Sequence, residues 1–198
     1  MMNLKRGHWF ILLFTLAYVL IYSIYYISIK NYEFLWYILV LLFFFGLIFF
    51  TLEKSKFDYL ILWGLSIWGF LHMSGGGLIV NGDVLYNFEV IHLFNLGDTF
   101  VLKFDQIVHV FGFFVTSLLA FHLIKEQARP EVNWPLIYVA SALISMGLGA
   151  VNEIVEFIAT VSIASVNVGG YYNTALDLVA NAIGASLAIF IMKKRKDK

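Results

Sequence analysis

Six side chains able to ligate a metal or carry a proton recur within otherwise apolar segments: His72, Asp105, His109, Glu153, Glu156 and Asp177. The amide of Asn181 accompanies them. Each charge held in hydrocarbon costs a few kcal/mol or more, so such residues are seldom present without a role. Carboxylates and imidazoles without thiolates suit a divalent metal, Zn, Mn, Fe or Mg. The chain has no cysteine, which removes thiolate ligands, thiol nucleophiles and disulfides. Four carboxylates so close together cannot all stay ionised in a low dielectric without cations or protons. The expected ligands are all six residues. His109, Glu153 and Glu156 are the candidates for general acid–base work, with Asn181 touching substrate or orienting a ligand.

Spacing supports one shared site. Asp105 and His109 are four residues apart and Glu153 and Glu156 three apart; Asp177, Asn181 and Gly184 follow at four and three. Residues three and four apart on a helix are neighbours, so each set projects from one stripe. That stripe must face the interior of a bundle. Gly112, Gly147, Gly149, Gly184 and Ala185 beside them suit close helix packing.

The elements that must position these groups follow from composition. The chain is 61% hydrophobic and 13% charged, half the charge of a soluble domain. The expectation is an all-α, polytopic integral membrane bundle forming a single transmembrane domain over 1–198. About 20 apolar residues cross a bilayer as a helix. Six segments meet or approach this: 8–29, 34–52, 57–72, 104–124, 134–161 and 174–192. The first is too long for a signal-peptide core and is read as retained. Helices one and two show few polar groups mid-membrane and read as lipid-facing scaffold. The formal net charge of zero argues against nucleic-acid binding.

Lys and Arg set the orientation. Eleven fall on the side of the termini and of the second and fourth loops, against Lys30 and Lys103 on the other. Both termini are therefore expected in the cytoplasm of a multi-pass cell-membrane protein, with Lys193 to Lys196 as a headgroup anchor. At 1.5 Å per residue, the polar residues of helices three to six then lie within roughly 12 Å of the outer boundary.

On that side lies a long loop, about 73–103, expected to cap the site. Its Gly75-Gly76-Gly77 run would allow a sharp reversal beside His72. His92 is a candidate to reach inward. His122 reads as an interfacial residue, Asn152 as a bond to a neighbouring helix, and Asn173 as a cap of helix six.

Asp105-Gln-Ile-Val-His109, Glu153-Ile-Val-Glu156 and Asp177-Leu-Val-Ala-Asn181-Ala-Ile-Gly184, in three successive helices, resemble the VanZ-like membrane proteins. His72 before glycines, Glu156 and six spans bring the chain closest to the YjdF-type inner-membrane branch. Gln106 and Glu156 stand where the narrower pattern commonly has Lys and Gln. The resemblance covers roughly 57–192 and implies a cell-envelope protein, in a superfamily tied to glycopeptide tolerance.

The sharpest functional expectation is a metal-dependent enzyme at the extracytoplasmic side, acting on a lipid or lipid-linked headgroup without an organic cofactor. The alternatives are a VanZ-like binding or resistance protein, an ion- or proton-coupled carrier, or a structural polar network.

Overall fold

The computed structural model describes residues 4–96, 99–129, 131–162 and 169–196. Six long helices make up the described chain: α1 (Arg6–Ser28), α2 (Tyr32–Ser55), α3 (Tyr59–Gly77), α4 (Phe104–Lys125), α5 (Trp134–Ser162) and α6 (Tyr171–Arg195). Five of them, all but α3, are long and apolar enough to cross a membrane. Tryptophan, serine and glycine dilute the hydropathy of α3.

Polar side chains at the boundaries explain where several helices begin. Asn31 accepts a hydrogen bond from the Phe34 amide at 3.0 Å and Asp58 from the Ile61 amide at 3.0 Å, covering donors that the first turn leaves unpaired. In α4 the cap is Gln106, whose Oε1 accepts from both Leu102 and Lys103 amides at 2.8 Å. Gln106 at this position thus serves the backbone.

The glycine run differs from expectation. Gly75, Gly76 and Gly77 continue α3 for a further turn and make no reversal. They are needed for close approach. A Cβ at Gly76 would lie 1.7 Å from Phe34 Cζ, and one at Gly75 2.3 Å from Tyr86 Cε1. The reversal comes later, at Asn81 and Gly82, whose φ values of 55° and 87° suit a tight hairpin turn. That turn joins β1 (Ile79–Val80) to β2 (Asp83–Val84). A 3₁₀ turn (Leu85–Asn87) and a second hairpin, β3 (Asn95–Leu96) with β4 (Thr99–Phe100), complete the loop.

Helices α1 and α2 are not simple scaffold. Tyr22 shares a hydrogen bond with Ser74 at 2.8 Å, Tyr26 donates to the Met73 carbonyl at 2.5 Å, and Thr15 meets Ser66 at 2.6 Å. Hydroxyls therefore dock α1 onto α3. On α2, Glu33 and Tyr37 are buried, and the buried residues stop at Ile38. The rest of α2 packs on the core through partly buried side chains, Phe45, Ile48 and Leu52.

The closest helix crossing is α4 on α6. A Cβ at Gly184 would lie 2.1 Å from the Val110 carbonyl oxygen. Gly112 admits the Trp68 indole, and Gly149 admits Asn181. Gly147 departs from expectation: it is exposed, and its Cβ would meet nothing within 4 Å. At the opposite end of the bundle, Arg195 pairs with Asp58 at 2.5 Å and Lys125 donates to the Arg195 carbonyl at 2.8 Å.

Candidate functional site

The α4–α6 crossing brings His109 against Asn181. His109 Nδ1 lies 2.9 Å from Asn181 Oδ1, so the ring donates there, and its Nε2 faces Asp105, whose Oδ1 is 3.7 Å away. From α5, Glu153 Oε1 approaches Nδ1 to 3.7 Å. Two ligand groups result among the described residues, both containing His109: Asp105, His109 and Asp177, and His109, Glu153 and Glu156. Within each, one ligand atom per residue lies within 4.8 Å of the others.

Amides orient the acids. Asn173 Nδ2 donates to Asp177 Oδ2 at 2.6 Å and to Asp105 Oδ2 at 3.2 Å, gripping one oxygen of each carboxylate. Its own Oδ1 accepts from Lys103 Nζ at 2.5 Å, and Lys103 also donates to Asn87 Oδ1 at 3.3 Å. Asn173 lies in the first turn of α6, whose N-cap is Gly170, so it bridges helices where a cap was expected. Asn152, expected to bond a neighbouring helix, instead donates along its own, to Glu156 Oε1 at 2.9 Å.

Several buried polar atoms have no hydrogen-bond partner among the described residues: Glu153 Oε1 and Oε2, Asp177 Oδ1 and Asn181 Nδ2. Asp177 and Asn181 are each 1% exposed and Glu153 8%. Leaving a buried polar group unpaired costs about 1–3 kcal/mol, more when it is charged.

His72 falls outside both ligand groups. Its Nδ1 meets the Tyr86 hydroxyl. Burial, with Asp105 and Glu156 nearby, holds that hydroxyl well above its usual pKa, so it remains a donor to the imidazole. His72 and Tyr86 border a cavity of about 30 Å³ that shares Asp105, Glu156 and Asn173 with the cluster. A larger cavity, about 90 Å³, lies near the start of α1 and the end of α2; it is mostly apolar and no acid lines it. His92 pairs with Glu89 in the exposed loop and does not enter the site. His122 bonds the Ser55 carbonyl at 2.6 Å, at the opposite end of the bundle.

The residues missed by sequence reasoning are Glu33, Tyr37, Tyr86, Lys103 and Asn173. One signal was available for Lys103: it is one of only two cations on its side of the chain, yet it is buried.

Apolar helices enclosing an interior of acids, imidazoles and amides define a multi-pass membrane protein. The chain belongs to the family described as Predicted membrane protein (DUF2238), whose family model matches residues 8–198. Neither the curated proteins nor the solved structures yield a match.

Proposed function

We propose that this protein is a divalent-metal-dependent enzyme acting at the extracytoplasmic membrane face on a lipid or lipid-linked headgroup. One observation carries the reading: buried carboxylate oxygens of Glu153 and Asp177 stand unpaired around a histidine that belongs to two ligand groups. A cation supplies what those oxygens lack. Asp105, His109 and Asp177 form the better supported set, since Asn181 orients the imidazole and Asn173 both carboxylates. Metal ligands are commonly fixed by such outer partners. Glu153 and Glu156 then offer further ligands or the general base. A bound metal would polarise a phosphoryl or carbonyl oxygen and acidify a water. His72, outside both ligand groups, borders the adjoining cavity and would serve as a third-helix contact to substrate. The VanZ-like likeness of the three motifs supports a cell-envelope role and names no reaction.

Metal content of the purified, detergent-solubilised protein tests the proposal. Stoichiometric Zn, Mn, Fe or Mg is expected. Asn173→Ala should weaken the metal roughly 10- to 100-fold, as loss of an orienting partner does. No metal after loading with each ion would overturn the reading and leave a structural hydrogen-bond network.

The proposed orientation places six spans in the bilayer with both termini in the cytoplasm. The chain has no native cysteine, so one introduced thiol reports alone. Ile79→Cys, on the exposed first hairpin, should react with an impermeant maleimide on intact cells, and Lys194→Cys only after permeabilisation. The reverse pattern would invert the topology and detach the site from the outer leaflet.

A further inference from the structure

Where α1 begins and α2 ends, far from the acid–histidine cluster, a half-open cavity of about 90 Å³ lies between α1, α2 and α3. Its form follows the helices. On α1 it runs along one stripe, from His8 through Ile11 to Thr15, about 10 Å of rise. On α2, running the other way, Phe45, Phe49 and Leu52 repeat at four and three. At the inner end Thr15 and Ser66 share a hydrogen bond at 2.6 Å, so neither hydroxyl needs a partner from an occupant. The space holds roughly six to nine water-sized groups. A methylene is of that size, so the groove matches a length of acyl chain laid along α1.

The mouth of this groove is cationic. Leu4 and His8, which line it, flank Lys5 and Arg6; Leu52 stands just before Lys54 and Lys56. All four cations are exposed, and none forms an ion pair among the described residues. Acids are fewer there: Glu53 is exposed, and Asp58 is taken by Arg195. His8 adds a directed donor. Its Nδ1 accepts the Lys5 amide at 3.1 Å, which leaves the ring proton on Nε2. The Tyr59 ring packs on this imidazole at 5.0 Å between centroids, and Nε2 has no partner among the described residues. An apolar slot opening beneath unpaired cations and an imidazole N–H complements a lipid of net negative charge. A second copy fits less well, because copies inserted the same way bring their cationic ends to one depth.

We infer that this groove holds one acyl chain of an anionic phospholipid, whose phosphate lies against Arg6, Lys54 and His8. The lipid sits at the opposite end of the bundle from the acid–histidine cluster. It is therefore a bound partner and not the headgroup of the proposed reaction, and neither claim needs the other. Native mass spectrometry of the full-length, detergent-solubilised protein tests it, with dioleoyl phosphatidylglycerol and dioleoyl phosphatidylcholine added in equal amounts. One phosphatidylglycerol per chain should saturate, favoured about tenfold over phosphatidylcholine. Arg6→Gln and Lys54→Gln together should cut that preference to about twofold or less. Leu12→Trp, which fills the groove, should lower retention of both lipids severalfold. Should Leu12→Trp fail to fold, the paired glutamine variant, exposed at both positions, carries the test.

Equal retention of the two lipids, or uptake of several copies with no saturating first one, overturns the inference and leaves ordinary contact with the bilayer. An unchanged preference in the paired glutamine variant overturns the assignment of the cationic rim. A dimer that Leu12→Trp dissociates, in place of a bound lipid, gives the groove to a second copy and overturns the inference as well.

Discussion

Replacing His109 by alanine should strip the protein of metal altogether, with an affinity loss exceeding the roughly 100-fold that an orienting residue commands. His109 is the one residue common to both ligand groups, so neither group of the described residues survives its removal intact. Glu156→Gln provides the contrast. Glu156 belongs to one group only, and the Asp105–His109–Asp177 set should retain its metal in that variant. Elemental analysis of both, beside the unaltered protein, reads the result. The alanine also leaves Asn181 Oδ1 without its partner, at a cost of about 1–3 kcal/mol, so a thermal transition in detergent must accompany the metal assay. A folded His109→Ala protein that keeps stoichiometric metal would sink the assignment.

The second large effect concerns packing. Gly184→Ala should destabilise the bundle by about 1–3 kcal/mol or more, the range for overfilling a packed interior. The atoms in the way are backbone: the Val110 carbonyl oxygen at 2.1 Å and the Phe114 amide nitrogen at 3.0 Å. No rotamer can relieve that overlap, so α4 and α6 must separate. Because α4 carries Asp105 and His109 and α6 carries Asp177, separation should weaken metal binding as well. Gly147→Ala is the control: its Cβ would meet nothing within 4 Å, and in a helix interior that change should be neutral or stabilising by up to about 1 kcal/mol. Equal thermal transitions for the two variants would refute the close-crossing account.

The cluster of Asp105, His109, Glu153, Glu156, Asp177 and Asn181 was legible in the sequence because helical spacing puts each set on one stripe and hydrocarbon makes charge conspicuous. The helix bodies were legible for the same reason. Glu33, Lys103 and Asn173 were not, since they lie at helix starts, where a charge or amide has an ordinary interfacial or capping explanation. Asn173 reaches Asp105 across 68 positions, a pairing that no local period encodes. Gly75 to Gly77 misled for a related cause. Glycine's backbone freedom suggests a turn, whereas its use here is the absent side chain, visible only once Phe34 and Tyr86 occupy the space. Neither phenol of the smaller cavity's wall, Tyr37 or Tyr86, stood out against the chain's other aromatics.

The Asp58–Arg195–Lys125 junction turns α6 into a ruler. Eighteen residues separate Asp177 from Arg195 within one continuous helix, about 27 Å of rise, close to the ~30 Å thickness of a hydrocarbon core. With the basic tail held at the cytoplasmic headgroups, as proposed, Asp177 stands at a fixed height above them whatever the lipid. A thinner bilayer therefore lifts the acid–histidine centre toward the outer headgroups, and a thicker one buries it beneath acyl chains. Membrane thickness becomes a dial on how readily any headgroup meets the centre.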